Sequence, residues 1–323
     1  MGHRADLAPP RRGHTERLRL LHRPSLHYRA KLNHMVRRSV IPDTGFRRCS
    51  AYGSIRDDPQ RDGEDAVVRQ DRRAPFAALQ RARTAAFSPG EYVGQESFMC
   101  AGEIRQLAHQ AGIGPGVCVL DLCCGVAGPG RLITAELGCR YLGLDHSASA
   151  LEIARDLAGD LPCRFEPAHV PPLPDRRFEV VLLLETMLAF LDKRSLVGEV
   201  ARALEPSGRF AFTIEEGRPL TTSERARMPD ADTVWLIELA ELSTVLRDAG
   251  LAVTWQRECS TAHQTRATAL LSSFQADSAQ IAHQIGSRAL TELISAHQLW
   301  CDWLGSGRVR KFAIVAQKPV SDG

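Results

Sequence analysis

The sequence predicts an α/β protein built on a doubly wound, mostly parallel sheet of seven strands. Short apolar runs alternate with stretches of helical periodicity from residue 98 onward, which is the pattern of a parallel sheet with helices on both faces. The first run, 117–122, is continuously apolar around one Asp, as expected for a strand that is buried on both faces. A glycine-rich connection follows this strand and leads into the first crossover helix.

Local signals define each predicted element. The helix at 98–112 ends at Gly112, the helix at 128–137 tolerates Pro129 in its first turn, and the next helix opens on Ser147, a favourable N-cap. The predicted strands are residues 117–122, 140–144, 163–167, 178–184, 208–214, 251–257 and 308–318. The predicted helices are residues 98–112, 128–137, 147–159, 193–206, 238–250 and a long helical stretch from roughly 262 to 304.

The chain divides into a basic N-terminal part and an acidic main part. Residues 1–90 hold 19 Lys and Arg against 9 Asp and Glu, whereas the remainder has a net charge of −7. Residues 1–75 show no sustained period, so we expect an Arg-rich, mostly disordered leader. A nucleic-acid arm, an organelle transit peptide and an overextended gene start, with Met35 as an internal start, stay open for this segment. A folded domain is expected over 76–318, followed by a tail at 319–323.

Composition argues against several classes of protein. The chain is 44% apolar and 24% charged, close to the globular average and unlike a collagen-like or wholly disordered chain. Its longest apolar run, 180–191, is too short to span a membrane and is interrupted by Glu185. The nine cysteines include no C-x-x-C pair, so we expect free thiols in a cytoplasmic protein and no metal site.

The connection after the first strand predicts a site for a nucleoside-containing cofactor. Asp121 lies near the end of the strand, and Gly125 and Gly128 follow, so the backbone can approach a ligand and helix N–H groups point at it. Asp145 stands at the tip of the next strand, where a carboxylate can bind both hydroxyls of a ribose. The glycines lack the dinucleotide spacing G-x-G-x-x-G. An acid beside them would repel pyrophosphate, whereas it suits a ligand with a cationic amino group.

On these residues the chain resembles the class I S-adenosylmethionine-dependent methyltransferases, over roughly 75–318. It is most similar to the small-molecule type, such as phosphoethanolamine and glycine/sarcosine N-methyltransferases. The family's loop, D-x-G-x-G-x-G, is matched by VLDLCCGVAGPG at 119–130, with Cys123 and Ala127 at the first and last glycine positions. The resemblance implies the strand order 3-2-1-4-5-7-6 with the last strand antiparallel. It also implies S-adenosylmethionine as methyl donor and a small-molecule acceptor.

The resemblance also assigns the residues that would bind the donor. Its ribose-binding acid corresponds to Asp145, and its fourth-strand segment places Glu185 and Met187 near the methyl group. The adenine-reading Asp of the family falls at Pro167, so either Glu166 substitutes after a one-residue shift or backbone and packing hold the adenine. The implied donor-binding residues are Asp121, Cys123, Gly125, Ala127, Gly128, Asp145, His146, Glu166, Ala168, Glu185 and Met187.

Methyl transfer from a sulfonium depends mainly on aligning donor and acceptor and on excluding water. A base is needed only when the acceptor must lose a proton, and the strand tips offer His146, His169, Glu185, Glu215 and Glu216, of which we expect Glu185 or His169 to take that role. In related enzymes a Tyr in the segment before the first strand contacts the sulfonium side or the acceptor, so the resemblance implies Tyr92 and Gln95 as catalytic-site contacts; packing at the start of the helix is the alternative. The pair Glu215 and Glu216 follows the fifth strand and could bind a cationic acceptor, or could simply be solvated.

The long segment 258–307, between the sixth and seventh strands, predicts a helical insertion that caps the substrate mouth; a packing insertion or dimer arm is the alternative.

Nucleic-acid base methyltransferases carry Asp/Asn-Pro-Pro-aromatic after the fourth strand, where this chain reads Leu-Glu-Thr-Met. The sequence therefore argues against a nucleic-acid substrate.

We therefore predict a cytoplasmic, metal-free methyltransferase for a small molecule, with N- or C-acceptors favoured over O-acceptors. We expect a monomer or homodimer with no nucleic-acid or membrane partner. A non-catalytic S-adenosylmethionine-binding module and an NAD(P)-dependent oxidoreductase are the alternatives.

Overall fold

The computed structural model describes residues 76–319 and contains one seven-stranded sheet of order β3-β2-β1-β4-β5-β7-β6. Strand β7 runs antiparallel to β5 and β6, and the other neighbours pair in parallel. The predicted fold class and strand order are therefore confirmed. The strands are β1 (Cys118–Leu122), β2 (Arg140–Asp145), β3 (Cys163–Pro167), β4 (Phe178–Leu183), β5 (Leu204–Glu216), β6 (Ala252–Glu258) and β7 (Arg310–Gln317).

Helices cover both faces of this sheet and its carboxyl edge. The α-helices among the described residues are α1 (Ala77–Ala85), α2 (Ala101–Gln110), α3 (Gly128–Leu137), α4 (Ala148–Ala158), α5 (Lys193–Ala203), α6 (Thr222–Arg227), α7 (Leu239–Asp248), α8 (Ser260–Ala276), α9 (Ser278–Ile285) and α10 (Ser287–Gly305). The expected leader at 1–75 and residues 320–323 of the expected tail lie outside the described part of the chain.

Successive residues of the central strands enter two different cores. In β4, Val181 and Leu183 pack into the core shared with α5 and α7, whereas Val180 and Leu182 pack into the core shared with α2, α3 and α4. All four side chains are at most 3% exposed. Because adjacent side chains of a strand point to opposite faces, a strand covered on both faces needs an uninterrupted apolar run.

The segment between β6 and β7 forms three helices in place of one long stretch. Helix α8 ends at Ala276, and Asp277 follows as its C-cap. Helix α9 ends at Ile285, and its C-cap Gly286 has a φ of 87°, which glycine adopts readily. Helices α8 and α10 pack with α1 in a third core, which includes Phe98, Phe274 and Trp300. These three helices are called the cap below.

The junction between α5 and β5 differs from the prediction. The helix was expected to reach residue 206, but α5 ends at Ala203 and the strand begins at Leu204. Pro206 disfavours helical backbone at the preceding residue. Ser207 then adopts a left-handed φ of 64°, which turns the chain. Helices α1 and α6 were not predicted, because their apolar signal is weak; no residue of α6 is buried.

Two glycine substitutions should change stability in opposite directions. An alanine Cβ at Gly130 in α3 would collide with the ring of Tyr141, so we expect Gly130→Ala to lower the free energy of unfolding by about 1–3 kcal/mol. Gly198 lies inside α5, and nothing lies within 4 Å of an added Cβ. Gly198→Ala should therefore raise stability by about 0.5–1 kcal/mol. Urea unfolding of both variants checks this; equal effects would contradict the packing described here.

Candidate active site

A cleft with an empty volume of about 1260 Å³ lies between the carboxyl ends of the central strands and the cap. Cys123, Asp145, Glu185 and Glu215 line it from the sheet side, and Lys311 from β7 reaches the same space. A smaller cleft of about 430 Å³ adjoins it at the loop between β1 and α3. The two clefts share lining residues, so an elongated ligand could occupy both.

The loop from β1 to α3 has three residues in left-handed backbone, of which two are not glycine. Cys123 and Ala127 have φ angles of 58° and 54°, and Gly125 has 56°. Left-handed backbone costs a residue with a Cβ roughly 1–2 kcal/mol. Cys123 and Ala127 stand where the resemblance expects glycines, and their small side chains permit the same loop path. Gly125, Gly128 and Pro129 of this connection line the smaller cleft.

A segment before α2 passes directly over this loop. A Cβ added to Gly128 would lie 2.5 Å from the Val93 carbonyl oxygen, so only glycine allows the approach. Gln95, which is 3% exposed, braces the segment. Its Oε1 accepts a hydrogen bond from the Val93 N–H at 2.6 Å, and its Nε2 donates to the Met99 carbonyl at 2.8 Å. The Gln95 side chain thus shapes the wall of both clefts by holding its own segment.

Asp145 ties the tip of β2 to the β1 loop. Its Oδ2 accepts a hydrogen bond from the Gly125 N–H at 2.9 Å, and its Oδ1 accepts one from the Ser147 N–H at 2.9 Å. An ionised carboxylate has about four acceptor positions, so about two remain for a ligand. His146 stands beside it, with Nδ1 3.4 Å from Oδ1. The structure therefore places Asp145 next to the glycine turn, in the wall of the main cleft.

Asp121 is held by a partner that sequence reasoning missed. The buried hydroxyl of Tyr141 on β2 donates a hydrogen bond of 2.6 Å to Asp121 Oδ2. Burial raises the pKa of Tyr141 well above its usual value, and the nearby Asp121 charge adds to this. The phenol therefore stays a donor, which keeps the Asp121 carboxylate in place at the smaller cleft. Position 141 gave no signal beyond an aromatic residue in an apolar strand.

Three ionisable side chains meet at the floor of the main cleft: Glu185 after β4, Glu215 on β5 and Lys311 on β7. We call them the Glu–Lys–Glu cluster. The Lys311 ammonium donates to Glu185 Oε2 at 2.8 Å and to Glu215 Oε1. Glu185 is held by the hydrogen bond that its own N–H donates to Thr213 Oγ1 at 2.6 Å. Lys311 was not predicted; its signal is a lysine at the start of the apolar run of β7.

Burial and mutual charge shift the pKa values of this cluster in different directions. Burial works to raise the pKa of Glu185, but the adjacent Lys311 ammonium brings it below the usual value. Burial raises the pKa of Glu215, which Lys311 does not fully offset. Burial works to lower the pKa of Lys311, yet its two carboxylate neighbours raise it. Glu185 and Lys311 therefore form the ion pair of the cluster, because both pKa shifts favour the charged form of the group.

The cap supplies an apolar wall. Leu270 and Phe274 of α8 and Leu293 and Trp300 of α10 line the cleft, and each is buried. His297 lies among them, with Nδ1 2.8 Å from the Leu293 carbonyl oxygen. Burial lowers the pKa of His297 to about 4, so this ring is neutral at neutral pH and adds no charge to the wall.

Several predicted site residues lie elsewhere. The Tyr92 hydroxyl donates to Gln80 Oε1 at 2.6 Å, outside the residues that line the two clefts. His169 is exposed, with its ring 5.8 Å from that of His146. Met187 is 0% exposed and packs in the core, whereas its neighbours Thr186 and Leu188 line the cleft.

The adenine contact expected at the end of β3 stays a prediction. The Glu166 side chain is 42% exposed and lies 3.3 Å from Arg176 on the surface. The Ala168 N–H donates to the Asp145 carbonyl at 2.9 Å. Backbone at residue 168 is thus fixed beside Asp145, while the Glu166 carboxylate is directed to a surface arginine.

A second buried cluster joins the cap to the body of the domain. Donor atoms of Glu103, Cys259 and His263 lie within 4.8 Å of one another, which is close enough to hold a metal ion. Arg266 of α8 pairs with the same Glu103 carboxylate and also donates to the Phe98 carbonyl. Since the Arg266 guanidinium already neutralises the charge of the Glu103 carboxylate, we interpret the cluster as a set of polar contacts that holds α8 against α2.

Among residues 76–319, no helix combines the length and apolar character needed to cross a membrane.

Comparisons with known proteins agree with this geometry. Residues 120–212 match the family described as methyltransferase domain. Sterol 24-C-methyltransferase of Eremothecium gossypii is 32% identical over 147 residues, which cover 42% of this chain and 39% of that protein. The chain spans less than half the length of the first curated relatives that it matches.

Solved structures share the fold. Phosphoethanolamine N-methyltransferase 2 of Haemonchus contortus superimposes with a TM-score of 0.63 at 16% identity, over 76% of this chain and 58% of that chain. The [4+2]-cyclase SpnF superimposes with a TM-score of 0.60 at 20% identity, over 76% of this chain and 92% of that chain. The matched domain and the strand order agree with the resemblance to the class I S-adenosylmethionine-dependent methyltransferases.

The free energy of unfolding should depend on pH through the ionisation of Glu103. Burial opposes ionisation of Glu103, but His263 and Arg266 lower its pKa from 4.5 to about 2. A depressed folded-state pKa contributes stability that is present above the unfolded value and is lost as the pH falls through the folded value. The free energy of unfolding should therefore decline between about pH 4.5 and pH 2, and Glu103→Gln should make this decline shallower.

Denaturant unfolding at several pH values measures both slopes. Glu152→Gln, an exposed position on α4, serves as the control and should keep the wild-type slope. An unchanged slope in Glu103→Gln would contradict the ion-pair assignment.

Proposed function

We propose that this protein transfers a methyl group from S-adenosylmethionine to a small-molecule acceptor bound under the cap. The observation that carries this proposal is the Asp145 carboxylate, which accepts the Gly125 N–H at 2.9 Å and the Ser147 N–H at 2.9 Å and has further acceptor positions beyond these two backbone hydrogen bonds. A carboxylate at the tip of the second strand, beside a turn at a helix N-terminus, suits a ribose next to a tight loop.

The two clefts divide the donor between them. Asp145 in the main cleft would hold the ribose. Asp121, Gly125 and Gly128 line the smaller cleft and would surround the amino-acid end, whose ammonium group Asp121 attracts. The donor supplies a methyl group activated by its positively charged sulfur. Cys123 and Gln95 line both clefts, so a donor bound in this way would present its methyl group to the main cleft, where Glu185 and the cap lie.

The chain's own contribution to the reaction is alignment and exclusion of water. Methyl transfer is an in-line displacement that needs the acceptor atom on the far side of the methyl carbon. The apolar cap residues Leu270, Phe274 and Trp300 would enclose the acceptor, and Glu185 would face the reacting atoms from the end of β4. The predicted roles of His169 as a base and of Tyr92 as a contact to the donor or acceptor have less support, since both residues lie outside the lining of the clefts.

We propose a cytoplasmic enzyme, monomeric or homodimeric, that prefers N- or C-acceptors. A second candidate is a protein that binds the donor without transferring its methyl group. The [4+2]-cyclase SpnF shares the fold, and its name gives a reaction other than methyl transfer. Incubation with S-adenosylmethionine and an acceptor library separates the two, because only methyl transfer releases S-adenosylhomocysteine.

Donor binding should depend on Asp145. Asp145→Asn removes the negative charge and replaces one acceptor oxygen by an NH2 donor at the ribose position. Calorimetry with S-adenosylhomocysteine should therefore give a Kd at least about tenfold higher than for the unaltered chain, a difference of about 1.4 kcal/mol. Asp156→Asn, on the exposed face of α4, is the control and should bind like the unaltered chain. Thermal melts show whether both variants fold. Equal affinity in all three proteins would end the proposal.

A further inference from the structure

We propose that the acceptor is an apolar molecule carrying a primary or secondary amine, and that the Glu–Lys–Glu cluster binds this amine and accepts its proton. This inference rests on the proposed methyl transfer and names its substrate class. It is carried by the hydrogen-bonding, the charge and the position of Glu185, Lys311 and Glu215, taken together with the walls of the cleft.

Two carboxylate oxygens of the cluster are buried without a partner. Glu185 Oε1 and Glu215 Oε2 have no hydrogen-bond partner among the described residues, although their side chains are only 6% and 4% exposed. Leaving a buried acceptor unsatisfied costs roughly 1–3 kcal/mol, and folded proteins satisfy nearly all such groups. Both residues line the main cleft. A ligand with more than one N–H donor would satisfy both oxygens at once.

The charge of the cluster points to the same ligand. Two carboxylates share the single ammonium of Lys311, so the fully ionised cluster has a net charge of −1. Arg83 also lines the cleft, but its guanidinium pairs with Glu96 at 2.9 Å. His297 is neutral, because burial lowers its pKa to about 4. A cationic amine therefore neutralises the cluster, whereas an added anion would be repelled by it.

The remaining walls are apolar, which restricts the rest of the acceptor. The cap residues Leu270, Phe274, Leu293 and Trp300 face the cluster across the cleft, and Leu188 joins them from the turn after β4. Buried apolar surface of this extent favours a hydrocarbon or aromatic body. An amine that also carries a carboxylate or phosphate would place a second charge against these side chains at a high desolvation cost.

The proposed N-methylation needs only the bound amine, the methyl donor and Glu215. The bound ammonium gives one N–H proton to Glu215 Oε2, which leaves a neutral amine with a lone pair. This lone pair forms the new N–C bond to the methyl carbon, the C–S bond breaks, and its electron pair stays on sulfur as a neutral thioether. The product is an N-methylammonium, and Glu215 returns its proton to water after release. Burial, which raises the pKa of Glu215, makes its carboxylate a stronger proton acceptor.

Calorimetry on the full chain saturated with S-adenosylhomocysteine tests the proposal, using n-octylamine, octan-1-ol and 8-aminooctanoate at pH 7.5. We expect n-octylamine to bind at least tenfold tighter than either other probe. Equal binding of the alcohol, or tighter binding of the amino acid, would overturn the inference. This comparison uses the unaltered chain, so it decides the question even if a variant fails to fold.

Variants locate the effect. Glu215→Gln should weaken n-octylamine binding at least tenfold and leave the affinity for S-adenosylhomocysteine within about twofold. Glu216→Gln is the matched control, since Glu216 pairs with Arg310 at 2.9 Å and lies outside the lining of the cleft; its affinity for both ligands should not change. Unaltered n-octylamine binding in Glu215→Gln would overturn the inference. Failure of S-adenosylhomocysteine to bind any of these proteins would instead contradict the proposed function.

Discussion

The site depends on one short connection, the hydrogen bond from the Gly125 N–H to Asp145 Oδ2. It joins the loop after β1 to the tip of β2, so the two strand ends present one surface instead of two. The buried pair of Tyr141 and Asp121 makes a second link between the same strands, and Gly130 leaves room for the tyrosine ring. Rigid strand ends of this kind position a bound ligand because they cannot move without disturbing the core.

Sequence reasoning predicted the sheet well where local signals and tertiary structure agree. The continuous apolar run of β4 indicated burial on both faces, and Ser147 marked the start of α4 because its Oγ accepts from the Ala150 N–H. The predicted helix ends are wrong where helical periodicity was given more weight than a residue that ends a helix. Periodicity alone extended α5 to residue 206, although the following proline had already ended it. The same periodicity joined α8, α9 and α10, because Asp277 and Gly286 interrupt it only briefly.

Part of the candidate site was also predictable, because its residues follow directly after predicted strands. Asp121, Asp145 and Glu185 follow from the rule that ligands bind at the carboxyl ends of parallel strands, and the structure brings Asp145 and Glu185 into one cleft. Lys311 could not be found this way. It lies 126 residues after Glu185, and the two meet only because β7 inserts between β5 and β6. A lysine in an apolar strand is a signal, but its partners are set by topology.

The central claim is that Asp145 and the loop at 123–128 hold a nucleoside while the Glu–Lys–Glu cluster faces the reacting atoms. A crystal structure with S-adenosylhomocysteine tests it most directly. We expect ribose hydroxyls within hydrogen-bond distance of the Asp145 carboxylate and a sulfur atom directed toward Glu185. A nucleoside bound away from Asp145, or a phosphate group in the loop, would contradict it.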